Sequence, residues 1–313
     1  MRNPPHVHRP WAQHYGRSLE LVQEAERLGA DSIWLTEHHF FEDGYLPQCW
    51  TLASAIAAVT NRVRIGTAVT LLPLHASIEL AEQIALVDIL SNGRVEAGFG
   101  VGYRLPEYRA FRGDFPNRYD VFARRVQELR RLWGEAPGPD QQISPRPIQH
   151  PVPLWGGFNG PRGARMAGQL GLGLLSLNPA LLDVYLAGLA HGGFDTSTAR
   201  MCGSIEFVVT DDPERAWSQL ERPLMDRWSA YNREASSSSV AFDIEAIKRR
   251  FLIGTAEEVA NAIRLRMRGL PVTDIYTRGD YPGAPDQLID EHISRTFGQL
   301  LPLLRNGDSQ NTI

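Results

Sequence analysis

Val63-Arg64-Ile65-Gly66-Thr67-Ala68-Val69-Thr70-Leu71-Leu72, a helical stretch over about 77–90, and Arg94-Val95-Glu96-Ala97-Gly98-Phe99 read together as strand, helix, strand. Leu80, Ile84 and Val87 fall on one face of the helical stretch, and Asn92-Gly93 stops it. The same unit repeats outward in both directions. Upstream, a helix over about 11–28 carries Leu21, Val22, Ala25 and Leu28 at helical spacing and ends at Gly29, and Ser32–Thr36 is a short buried strand before a helix at about 47–59. Downstream come a helix at about 117–133, a strand at 152–157, a helix at 160–170, a strand at 173–177 and a helix at 179–190. A strand at 204–210, helices from 213 and at 256–268, a strand at 273–277 and a helix from about 286 complete the pattern. Alternation of this kind implies parallel βαβ units.

The strands number seven, whereas a closed (β/α)8 TIM barrel needs eight. Residues 1–10, rich in proline and histidine, make a poor strand. The expectation is an α/β barrel in a single domain over 1–313, with its first strand missing from the sequence; an open, doubly wound sheet of seven strands is the alternative. Residues 135–151 hold five prolines and are expected to be extended. Residues 221–255 carry aromatic and basic residues around a run of four serines, and read either as an inserted lid over the barrel mouth or as a solvated linker.

Composition removes several classes of function. The 313 residues are 43% hydrophobic and 22% charged, as in a soluble globular enzyme. A formal charge of −4 and a pI near 6.2 leave no basic stripe for nucleic acid. No apolar run reaches the roughly 18 residues of a membrane span, and Met1–His6 has no signal-peptide core, so a cytoplasmic protein is expected. Cys49 and Cys202, without a CxxC or paired histidines, read as two reduced thiols and not as a metal site.

In a parallel barrel the reactive groups gather at the carboxyl ends of the strands. That rule places Glu37-His38-His39-Phe40, Leu71–His75, Gly98–Tyr103 and Gly156–Gly160 around one mouth. A histidine at a strand end serves either as a hydrogen-bonded structural residue or as a proton donor and acceptor near neutral pH. Gly98-Phe99-Gly100-Val101-Gly102 is not a GxGxxG dinucleotide motif, although its glycines would let backbone approach a flat ligand. The Gly156–Gly160 turn opens a helix at Pro161, and free N–H groups at a helix start suit a phosphate. Residue chemistry alone therefore points to a barrel enzyme that binds a phosphorylated, aromatic cofactor.

Thr36–Phe40 resembles the second-strand signature of the bacterial luciferase-like flavin-dependent monooxygenases, and Gly66–His75 resembles their third strand. Glu82-Gln83, Asp88–Arg94, Gly98–Tyr103, Arg118, Trp133, Pro151–Gly157 and Gly254–Val259 follow in the family's order, so the likeness runs from about residue 11 to 305. The resemblance implies reduced FMN, dioxygen as oxidant, a flavin hydroperoxide, a small organic substrate, a separate flavin reductase and a homodimer. It makes His38 the catalytic residue for proton transfer. It sets Ala68 and Val69 at a non-prolyl cis peptide beneath the flavin ring and Gly100 beside the ring face. Gly157, Phe158, Asn159 and Gly160 become the phosphate-binding turn. Trp34, Phe40, Phe99 and Tyr103 are expected to wall the pocket, and residues 221–255 to close it against water. Val101 departs from the pattern, standing where luciferase has a phosphate-holding arginine. A deazaflavin-dependent dehydrogenase or reductase of the same fold, and a non-catalytic flavin-binding protein, are the other readings.

Overall fold

The computed structural model describes residues 2–7, 9–138, 141–234 and 244–307. Seven strands form one continuous parallel path: β1 (Ser32–Leu35), β2 (Arg64–Thr67), β4 (Val95–Gly100), β5 (Leu154–Gly156), β6 (Gly173–Leu175), β7 (Met201–Ser204) and β10 (Val272–Tyr276). The short β3 (Thr70–Leu71) also pairs with β4. Registers step regularly round the path, with Ile33 opposite Ile65, Ile65 opposite Val95, Ala97 opposite Leu154 and Leu174 opposite Met201. A doubly wound sheet reverses its strand order at a switch point. Here the order never reverses, and the two ends of the path meet: Trp34 of β1 stacks on Tyr276 of β10 with ring centroids 5.5 Å apart. The molecule is a nearly closed (β/α) barrel with one open seam, between β1 and β10.

The helices lie where the periodicity places them: Trp11–Arg27, Cys49–Val59, Ser77–Ser91, Arg118–Leu132, Pro161–Gln169, Leu182–His191 and Ala256–Met267. Their apolar faces meet the outer faces of the strands, so the main core is a shell around the barrel. Ile56, Ile84, Phe122, Val126 and Leu189 face Ile65, Ala97, Leu154 and Leu174, all buried. The Ala256–Met267 helix opens on a reciprocal capping box between Thr255 and Glu258.

The structure differs from these expectations in four places. The segment expected as one strand over 204–210 divides into β7, in the barrel, and β8 (Phe207–Val209), which leaves it. β8 pairs in parallel with β9 (Leu252–Gly254), a strand absent from the periodicity reading because it lies inside the expected insertion. Most of that insertion is helical: Pro213–Glu234 is one helix with Pro223 inside it, Ile244–Arg250 is another, and 235–243 lie outside the described residues. A short helix, Leu105–Ala110, follows the Gly98–Tyr103 segment. Residues 135–151 form no helix or strand where described.

Candidate active site at the barrel mouth

β1 delivers Glu37, His38 and His39 to the mouth, and all three are buried. They take different partners. Glu37 accepts hydrogen bonds from the Leu71 amide at 2.8 Å, from His39 Nε2 at 2.8 Å and from His75 Nε2 at 2.8 Å. Burial alone would raise its pKa, but these donors outweigh it and bring the carboxyl down to about 2. Glu37 is thus a fixed anion that ties β1 to the β2–β3 crossing. His38 instead lines a cavity of about 1640 Å³. Its ring packs edge-on to Tyr45 at 4.6 Å and Phe41 at 5.2 Å between centroids, and Tyr103 lies at 6.1 Å.

Beyond β2 the chain bulges at Ala68–Val69, whose peptide bond is cis. Thr67 anchors the bulge, its hydroxyl donating to the Gly98 carbonyl at 2.8 Å and accepting from the Gly98 amide at 2.9 Å. Only glycine fits at 98, where a Cβ would come within 1.8 Å of the Thr67 carbonyl oxygen. Val69 is wedged between two more glycines, since a Cβ at Gly100 or Gly157 would meet its methyl carbons at 2.5 and 2.4 Å. Ala68 and Val69 therefore form a ridge on the cavity wall, next to Gly157 and Asn159.

Gly160 precedes the Pro161–Gln169 helix, which no side chain caps. Its first turn keeps the unsatisfied N–H groups and partial positive charge of a helix start. Nothing lies within 4 Å of where a Gly160 Cβ would stand, so the approach is open. Arg162 in that turn places its guanidinium 4.2 Å from the Tyr119 ring centroid, and Arg118 lies 5.3 Å from the same ring.

Of the residues expected from sequence, His38, Ala68, Val69, Gly157 and Asn159 share one cavity, while Gly100, Phe158 and Gly160 do not line it. Gly100 lies behind Val69. Phe158 turns into the core against Phe122, 5.2 Å between centroids. Among the expected aromatic walls, Trp34 lines the cavity and stands edge-on to Trp155 at 5.9 Å. Phe99 is fully buried away from it, and Phe40, with φ of 62°, is 63% exposed. Sequence reading missed Tyr45, which packs on His38, and Arg162. Only Arg162, two residues into an expected phosphate-binding helix, left a signal.

Residues 1–274 match the sequence profile of the luciferase-like monooxygenases. The chain belongs to that family. This family member is 31% identical over 170 residues to the oxygenase component of a flavin-dependent trigonelline monooxygenase from Acinetobacter baylyi, a match covering 51% of this chain and 47% of the relative. It is 33% identical over 186 residues to an F420-dependent glucose-6-phosphate dehydrogenase from Amycolatopsis mediterranei, covering 53% and 55%. In these matches the chain spans about half the length of the relatives. The crystal structure of the monooxygenase RslO1 from Streptomyces bottropensis superposes with a TM-score of 0.76 at 27% identity, covering 93% of this chain and 94% of that one. The luciferase-like family thus includes both flavin monooxygenases and F420-dependent dehydrogenases.

Cys49 and Cys202 are free and buried, and burial pushes both thiols up, Cys49 to about 12. Among the described residues no helix is long and apolar enough to cross a membrane.

Proposed function

We propose that this protein is the oxygenase of a two-component flavin monooxygenase, taking reduced FMN from a separate reductase and using dioxygen to oxidise a small organic substrate. One observation carries the reading: a single large cavity holds His38, the Ala68–Val69 ridge and the residues leading into an uncapped helix start. The ridge offers a flat support for an isoalloxazine ring. The Asn159–Gly160 turn offers backbone N–H groups to its phosphate, and Arg162 adds a positive charge close by, which matters because Val101 supplies none.

Reduced FMN, once bound, supplies the electrons with which dioxygen is activated. The residues supply the rest. His38 sits at the cavity wall with its ring held by Phe41 and Tyr45, where it can give or take a proton at the reacting atoms. Trp34 and Tyr276, stacked in the cavity wall, would help exclude water from a ring bound there. The Pro213–Glu234 helix, through Leu224, Arg227 and Ala230, covers another side, in keeping with a lid role for the 221–255 region. A homodimer and a cytoplasmic location belong to the same proposal.

The F420-dependent relative and the missing arginine at 101 favour one second reading, a deazaflavin-dependent dehydrogenase on the same site. Titration with FMN and with a deazaflavin, followed by fluorescence, separates the two. FMN should bind more tightly, and oxygen uptake with supplied reduced FMN should exceed the free-flavin rate. Tighter deazaflavin binding with oxygen uptake at background would replace the first reading with the second.

A further inference from the structure

His38 has a buried acid behind it. Glu107, in the Leu105–Ala110 helix, is 1% exposed and does not line the cavity, so it can reach a bound molecule only through another residue. Its Oε1 accepts from the His39 amide at 3.0 Å and from Arg104 Nη1 at 3.0 Å, and lies 3.7 Å from His38 Nδ1. The residues around it are also bonded to one another. Arg104 also donates to the His39 carbonyl, and its guanidinium lies 4.4 Å from the centroid of Phe41, which itself packs on His38. One carboxylate and one guanidinium therefore grip both backbone polar groups of His39, the residue next to His38. His38 Nδ1 is itself shielded from solvent.

We infer that Glu107 is the positioning residue of His38: it holds the Nδ1 edge of the ring, so that neutral His38 carries its proton on Nδ1 and presents Nε2 to the cavity as an acceptor. The two ring nitrogens differ in role, and the partner of one fixes the state of the other. A gap of 3.7 Å is longer than a hydrogen bond, as such contacts often are before ligand binds, and a small rotation of the imidazole closes it. The surroundings of Glu107 favour its anion. Burial opposes the charge, but the contacts from His38, the His39 amide and Arg104 hold the carboxyl below its usual range. A neutral acid there could donate to Nδ1 and reverse the tautomer; an anion can only accept.

The inference gives the proposed proton-transfer role of His38 a direction, and its test does not need turnover. Proton–nitrogen correlation spectra of histidine-labelled protein, without flavin, report which ring nitrogen carries the proton, with His38→Ala assigning the resonance. The Nδ1–H form should dominate His38 in the native protein. Glu107→Gln should shift it to a mixture, and Glu107→Asp should restore most of it. A native His38 found mainly as the Nε2–H form would overturn the inference, whether or not either variant folds. So would a Glu107→Gln spectrum unchanged at His38. If the oxygenase reading holds, Glu107→Gln should also lower kcat about tenfold with KM within twofold, the pattern of an interaction used beyond ground-state binding. An unchanged tautomer with no turnover in any form would count against both readings; the expected tautomer with no turnover would count against the oxygenase alone.

Discussion

The barrel buries charge at both ends, and the two ends treat it differently. At the foot, Arg64 of β2 reaches Glu96 of β4 at 3.0 Å and also pairs with Asp274 of β10. Trp155 donates to the other oxygen of Glu96 at 2.6 Å, and the Arg200 guanidinium lies 4.4 Å from the Trp155 ring centroid. Each of these charges faces an opposite charge or a ring, and Arg64 is held well above its usual pKa by its two carboxylates, against the pull of burial. At the mouth, Glu37 is saturated in the same way by two histidines and an amide, but His38, one residue on, turns its ring to the cavity. Neutralised charge fastens strands together, and a titratable ring kept on a cavity wall is available for chemistry. The separation follows the general division of such barrels between a stabilising face and a reactive one.

Substitutions at the two ends should therefore fail in different ways. The largest effect is expected from His38→Ala, which should lower kcat about 10²- to 10⁴-fold, the range of a lost acid–base group, while leaving the melting temperature nearly unchanged. A parallel loss of stability would move His38 into the structural class of Glu37. Next comes acid. Glu37 has a folded pKa of about 2 against an ordinary 4.5, so its contribution of about 3 kcal/mol is fully present above pH 4.5 and disappears as pH falls towards 2. Urea unfolding across that window should show the decline, and Glu37→Gln should flatten it; an equal slope in the variant would assign the acid sensitivity to other carboxylates.

At the foot, Arg64→Met leaves Glu96 and Asp274 without their shared cation. The expected loss is about 2 kcal/mol, less than for a fully buried pair because the Arg64 side chain is 35% exposed. Activity per folded molecule should not change, and a fall in kcat would show that the foot reaches the mouth. Smallest is Trp155→Phe, which removes the hydrogen bond to Glu96 and should cost about 1 kcal/mol in chemical unfolding. No measurable loss would mean that Arg64 alone satisfies Glu96.

How much of this could be read from the residues depends on distance along the chain. The βα alternation is local, and the helices from Trp11 to Leu132 fall within a few residues of where their apolar spacing puts them. The split of 201–209 is not local: Ile205 and Glu206 carry the chain out of the barrel because β8 has a partner in β9, more than forty residues later. Glu107 was invisible for the same reason, since its meaning rests on His38 and His39 nearly seventy residues earlier. Phe158 shows the opposite error. Its neighbours in the turn line the cavity, but its own side chain faces the core, because successive residues in an extended segment point to opposite sides.

The seam between β1 and β10 has a consequence for how the molecule meets others of its kind. A strand edge is a template on which a foreign strand can grow, and proteins usually blunt it with charge, proline or a bulge. Here the two edges face each other across the cavity that also holds His38, walled at this end by Leu19 and Val22 of the first helix and by Leu301 and Leu304 near the carboxyl end, with Arg305 paired to Asp31 at 2.7 Å. The hazard is turned inward. The packing of the Trp11–Arg27 helix and of the Leu301–Gly307 helix along the seam is thus what covers the edges of β1 and β10.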